Sequence, residues 1–96
     1  MAARVSIAES AVRDLEGIRA WYAEQSTPEV GERLVREIVD CLGQIGEFAQ
    51  SGRIVPGFDQ PRLRELIHPL FRIVYRLEID RFRVVRVWRS ERSMEQ

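Results

Sequence analysis

The chain has no lysine, one cysteine and one histidine, and nowhere gathers an apolar run near the roughly 20 residues that cross a bilayer. A single thiol, Cys41, cannot form an internal disulfide and argues against a thiol-based metal centre; neither metal nor cofactor is expected. The opening stretch MAARVSIAESAVRD lacks the apolar centre of a secretory leader, which points to a cytoplasmic protein without membrane contact. With lysine absent, all 15 Lys/Arg positions are arginine. A GC-rich coding bias accounts for that on an ordinary surface, yet the two cations differ in chemistry. Guanidinium grips phosphate or carboxylate through a planar fork and does not release a proton near neutrality.

What is present describes a small globular chain. Hydrophobic residues are 45 % and charged residues 31 % of the 96, a balance that argues against disorder and suits one domain, residues 1–96, with one modest core. The formal net charge of zero conceals a division. Residues 1–50 hold five arginines against nine acids, a balance of −4, whereas residues 51–96 hold ten against six, a balance of +4. A molecule so divided would meet an acidic partner with its C-terminal half.

The last third organises the rest. Arg62 to His68, Phe71 to Leu77 and Phe82 to Trp88 are rich in β-branched and aromatic residues and are separated by hairpin-length connections, so an antiparallel meander is predicted. In the middle segment Phe71, Ile73, Tyr75 and Leu77 share one face while Arg72 and Arg76 flank Val74 on the other. Nine arginines between Arg62 and Arg92 make the second face strongly basic.

Upstream, Arg4 to Ile7 reads as a short strand that joins the meander. Ala11, Leu15, Ile18 and Tyr22 recur at helical spacing; Ser6 and Glu9 have capping-box spacing, although a start at Glu9 fits equally. Thr27 suits an N-cap and Pro28 a first helical position, opening a second helix to about Phe48 with a stripe of Val30, Leu34, Ile38, Cys41, Leu42, Ile45 and Phe48. Gly43 and Gly46 either permit close packing or end that helix early. Gln50 to Pro61, with two glycines and two prolines, reads as an irregular loop. The order β-α-α-β-β-β predicts an α+β fold, a helical hairpin packed on a small, mainly antiparallel sheet.

Several of these residues fall in a familiar order. Val5, Ala11, Asp14-Leu15, Ile18 and Trp21-Tyr22 lead to the Ser51-Gly52-Arg53 turn. Leu63-Arg64-Glu65-Leu66 follows, then Phe71-Arg72-Ile73-Val74-Tyr75-Arg76 and Val84 through Arg92. Across nearly its whole length the chain resembles the RelE/ParE superfamily of toxins from bacterial type II toxin–antitoxin modules, also labelled plasmid stabilization proteins. The resemblance implies a cognate antitoxin as partner. It also implies one of two activities: inhibition of DNA gyrase by binding, as in the ParE branch, or ribosome-dependent cleavage of mRNA, as in the RelE branch. A third reading is a degenerate toxin that only binds its antitoxin.

Cleaving RNA requires a group that loses and regains a proton near neutrality, and the candidates are few. His68 ends a strand beside Pro69 and reads as a partly buried turn residue or a catalytic base; Glu65 and Glu91 read as salt-bridge partners or bases. Arg72 matches the arginine that the resemblance places at the scissile phosphate, but gyrase-directed relatives share it. The lysine pair expected on the preceding strand is missing, and the chain ends Ser93-Met94-Glu95-Gln96 where ribonuclease members carry Tyr or His-Tyr. The gyrase reading is therefore favoured over an enzyme. On it no catalytic residue is expected, and Arg64, Arg72, Arg86, Arg89 and Arg92 bind the target; on the ribonuclease reading Arg72, His68 and Glu91 are catalytic and the partners are ribosome and mRNA. Trp21 and Trp88 are the antitoxin-binding candidates, each equally readable as a packed side chain. No helix carries a basic recognition stripe, so sequence-specific DNA binding is not expected.

Overall fold

The computed structural model describes residues 4–47, 52–57, 60–79 and 81–90. Among the described residues seven elements follow one another: β1 (Arg4–Ile7), α1 (Glu9–Glu24), α2 (Pro28–Glu47), β2 (Arg53–Ile54), β3 (Leu63–Ile67), β4 (Phe71–Leu77) and β5 (Arg81–Arg89). The strands form one sheet in the order β1-β5-β4-β3-β2. Three of its pairings are antiparallel, and β1 lies parallel to β5 at the edge.

The predicted stripes do the packing. Ala11 and Ile18 of α1 and Leu34, Val35, Ile38, Leu42 and Ile45 of α2 close over Phe71, Ile73, Tyr75, Phe82, Val84 and Val87 of the sheet. Each large side chain buried in this way contributes on the order of 1.5–3 kcal/mol, which fixes the helical hairpin to one face. The other face carries Arg53, Arg72, Arg76, Arg83 and Arg86.

The α1–α2 junction turns on Ser26, whose φ of 63° is left-handed. Ser26 donates its N–H to Ala23 O and Thr27 donates to Tyr22 O, at 3.0 and 2.8 Å, the paired bonds of a Schellman motif. The Thr27 hydroxyl also turns back to Tyr22 O, at 3.2 Å. At the other end of α1 the proposed Ser6–Glu9 capping box does not form: Ser6 lies within β1, and Ala8 precedes Glu9 without a side-chain cap.

Two further expectations change. Gly43 neither ends α2, which continues to Glu47, nor touches another element, since a Cβ built on it meets nothing within 4 Å. The stretch expected to be irregular contains β2, two residues that pair with Arg64 and Glu65; a strand that short has no periodicity to detect. Val74 lies in the arginine register of β4 yet is only 3 % exposed. The β4–β5 meander also carries a bulge: Val74 pairs with Arg86 and Tyr75 with Val84, which leaves Val85 unopposed. Helix α1 satisfies the displaced backbone. Ser10 donates its hydroxyl to Val85 O at 2.7 Å, and Asp14 accepts the Val87 N–H at 2.8 Å.

Candidate functional site: an arginine face and an aromatic groove

The pairing register decides which arginines stand together. Arg53, Glu65, Val74 and Arg86 form one row across the face away from the helices, and Ile67, Arg72 and Trp88 form the next. Arg76 and Arg83 oppose each other in a third.

Glu65 is the centre of this face. Its carboxylate is fully buried, a position that is costly for a charge unless it is paired. Arg53 Nε donates to one oxygen at 2.6 Å, and Arg72 Nε and Nη2 donate to the other at 3.1 Å. One carboxylate thus holds two guanidiniums side by side, with 60 % of the Arg53 side chain and 29 % of the Arg72 side chain still in solvent. Arg76 and Arg81 approach Glu78 at 3.7 and 4.0 Å. Arg86 is held by both oxygens of Asp14, at 2.8 and 3.1 Å, with its guanidinium 5.2 Å from the Trp88 ring centroid. The Asp14 hydrogen bond raises the Arg86 pKa further above its ordinary value, so the charge is permanent.

The other predicted arginines lie elsewhere. Arg64 shares its register with Tyr75 on the helix side, donating to Pro61 O at 2.8 Å and Gly52 O at 3.1 Å. Arg89 is paired with Phe71, also on the helix side. It donates to the Tyr22 hydroxyl at 3.1 Å and lies 5.7 and 5.4 Å from the Trp21 and Phe71 ring centroids. Arg92 and Glu91 fall outside the described residues. The predicted target-binding set is therefore divided, with Arg72 and Arg86 on one face and Arg64 and Arg89 on the other.

Arg89 also lines an open groove of about 210 Å³ between α1 and the sheet, together with Asp14, Gly17, Ile18, Trp21, Tyr22, Phe71 and Val87. Trp21 is 50 % exposed at its rim, edge-on to Tyr22 with ring centroids 4.8 Å apart. Among the described residues no acid pairs with Arg89. The two tryptophans stand on different surfaces: Trp21 borders the groove and Trp88 lies on the arginine face. Arg53, Asp14, Tyr22 and Phe71 were not singled out as functional by sequence reasoning; Arg53 needed the pairing of β2, and the others needed the packing of α1 on β5.

The titratable candidates among the described residues, and Tyr75 beside them, are engaged. His68, 7 % exposed, accepts the Leu70 N–H through Nδ1 at 3.0 Å and reaches Glu37 Oε1 through Nε2 at 2.8 Å. Tyr75 is fully buried and its hydroxyl accepts the Gly52 N–H at 3.0 Å. Burial pushes its phenol above the usual range, against smaller opposing effects of Gly52 and Arg64. Among the described residues no cluster of three or more His, Cys, Asp or Glu side chains suits a metal, and no helix is long and apolar enough to cross a membrane.

Comparison with known proteins adds identity to geometry. Residues 5–94 match the family model described as ParE toxin of type II toxin-antitoxin system, parDE. A solved structure of the chromosomal ParDE toxin–antitoxin system from P. aeruginosa superposes with a TM-score of 0.78 at 23 % identity, covering 93 % of this chain and 97 % of that one. A conserved hypothetical protein, HP0894, from Helicobacter pylori gives 0.61 at 15 % identity, covering 93 % and 96 %. The E. coli DinJ-YafQ toxin–antitoxin complex gives 0.51 at 8 % identity, covering 100 % of each chain. A search of curated proteins found no match.

Proposed function

Because the chain belongs to the ParE toxin family of type II toxin–antitoxin systems, we propose that residues 1–96 act as one cytoplasmic toxin domain that inhibits DNA gyrase by binding it and is neutralised by a cognate antitoxin. What carries the gyrase reading is the state of the residues that an RNA-cleaving site would need. His68 uses Nδ1 inside the β3–β4 turn and Nε2 on Glu37 of α2, and Glu65 is fully buried between two arginines. The face around Arg72 therefore offers fixed positive charge and the Trp88 ring, a surface for holding a partner rather than for exchanging protons with a ribose.

The groove is assigned to the antitoxin. Its floor is apolar, Trp21 stands exposed at its rim, and Arg89 supplies a guanidinium without an acid partner among the described residues. A segment with an apolar side chain for the groove and a carboxylate for Arg89 fits that chemistry. Arg64, at the β2–β3 edge, and Arg92 complete the proposed target contacts.

Expression in cells tests this. The unmodified chain should stop growth with accumulating DNA breaks, and the Arg72→Ala/Arg86→Ala/Arg92→Ala protein should be soluble, folded and at least tenfold less toxic. Undiminished killing by that triple variant contradicts the arginine assignment, and growth arrest with cut mRNA and intact DNA replaces gyrase by the ribosome.

A further inference from the structure

The turn between β3 and β4 is closed by an imidazole. His68 and Phe71 frame Pro69 and Leu70, and the His68 N–H bonds to Phe71 O at 2.8 Å. The Leu70 N–H is taken by His68 Nδ1 at 3.0 Å, so Nδ1 is an acceptor and carries no proton. In the neutral ring the proton is then on Nε2, which donates to Glu37 Oε1 at 2.8 Å. One side chain, 7 % exposed, ties the hairpin tip to the middle of α2. Leu70 extends the chain of contacts: its carbonyl accepts the Ser90 N–H at 2.8 Å, where β5 ends.

We propose that His68 is a proton-sensitive latch that holds the β3–β4 turn, and through Leu70 the end of β5, in place while its ring is neutral. A proton arriving at Nδ1 puts a second donor against the Leu70 N–H. That hydrogen bond is lost, while the Nε2–H to Glu37 contact gains a full charge and is retained. The ring therefore stays fastened to α2 and releases the tip. Leu70 then turns away, and its carbonyl leaves the Ser90 N–H.

The charged and titratable groups around the ring come from each packed element. On α2, Glu37 faces Nε2 and is itself 3.7 Å from Arg33. One turn on, Cys41 is held protonated by burial and by Asp40 and Glu37. On the sheet side the ring meets Phe71, centroids 5.7 Å apart, and the Arg89 guanidinium lies 5.4 Å from that same Phe71 centroid. The ring thus meets the Glu37 carboxylate on the helix and the Phe71 phenyl on the sheet, with the Arg89 guanidinium against that same phenyl. The latch is distinct from gyrase or antitoxin binding and does not depend on either.

Amide hydrogen exchange by NMR reads the latch directly. As pH is lowered from about 7.5 to 5, with His68 protonation followed on its own ring protons, protection of Leu70 and Ser90 should fall at least tenfold after correction for intrinsic exchange. Core amides such as Ile73 should not change. In His68→Asn the side-chain oxygen still accepts the Leu70 N–H but does not titrate, so protection at both amides should be flat across this range. In Glu37→Gln the histidine remains and the loss on acidification should persist. Protection that stays constant in the unmodified chain while the ring titrates overturns the latch. So does an equal loss in His68→Asn, or its disappearance in Glu37→Gln, which would move the switch to the carboxylate.

Discussion

Asp14 shows how much one side chain can carry. Its carboxylate takes the Val87 N–H, which lies beyond the last β1–β5 pair at Val84, and both ends of the Arg86 guanidinium, joining helix, sheet edge and arginine face. Asp14→Ala strands a backbone donor and frees Arg86, and should cost about 2–3 kcal/mol in urea denaturation while leaving the fold intact. An unchanged midpoint would mean that water replaces the carboxylate at the edge. Tyr75 makes a prediction in pH. Burial holds its folded-state pKa above the unfolded value near 10, so the fold favours the neutral phenol. That contribution is complete below about pH 10 and is lost as pH rises through the folded pKa. Tyr75→Phe, which gives up the Gly52 hydrogen bond, should be less stable at neutral pH but lose less stability between about pH 9 and 11. Parallel decline of the two proteins would remove Tyr75 from the alkaline transition.

Element by element, legibility followed the length of the pattern. Helix α2 and the β3–β4–β5 meander were readable because each repeats its period several times, and Pro28 marked the start of α2. The elements that needed the folded molecule were short or defined by a partner: β2 has two residues, and the bulge at Val85 exists only as a mismatch between strands. The basic face was visible as alternation in β4, but membership was not. Register carries Arg89 and Arg64 to the helix side and brings Arg53 to Glu65. In α2, Gly43 sits exposed with open space where a Cβ would stand. Gly43→Ala should therefore raise stability by up to about 1 kcal/mol through helix propensity and reduced chain entropy. A destabilised variant would show that Gly43 serves a packing role which the fold does not display.

For the molecule as a whole, the charge division of the sequence becomes a spatial one. The helices cover one side of the sheet, Arg53, Arg72, Arg76, Arg83 and Arg86 lie on the other, and the aromatic groove opens between α1 and the sheet with Arg89 in its lining. Two surfaces follow from one topology, and the account gives them different partners: the arginine face for the target, the groove for the antitoxin. The central claim concerns the first. Purified protein should be added to DNA gyrase acting on relaxed plasmid, with lost supercoiling and linear DNA scored together. Dose-dependent inhibition with linear product is the result predicted, weakened at least tenfold by Arg72→Ala/Arg86→Ala and little changed by Trp21→Ala. Undiminished supercoiling in the presence of folded protein would contradict the account.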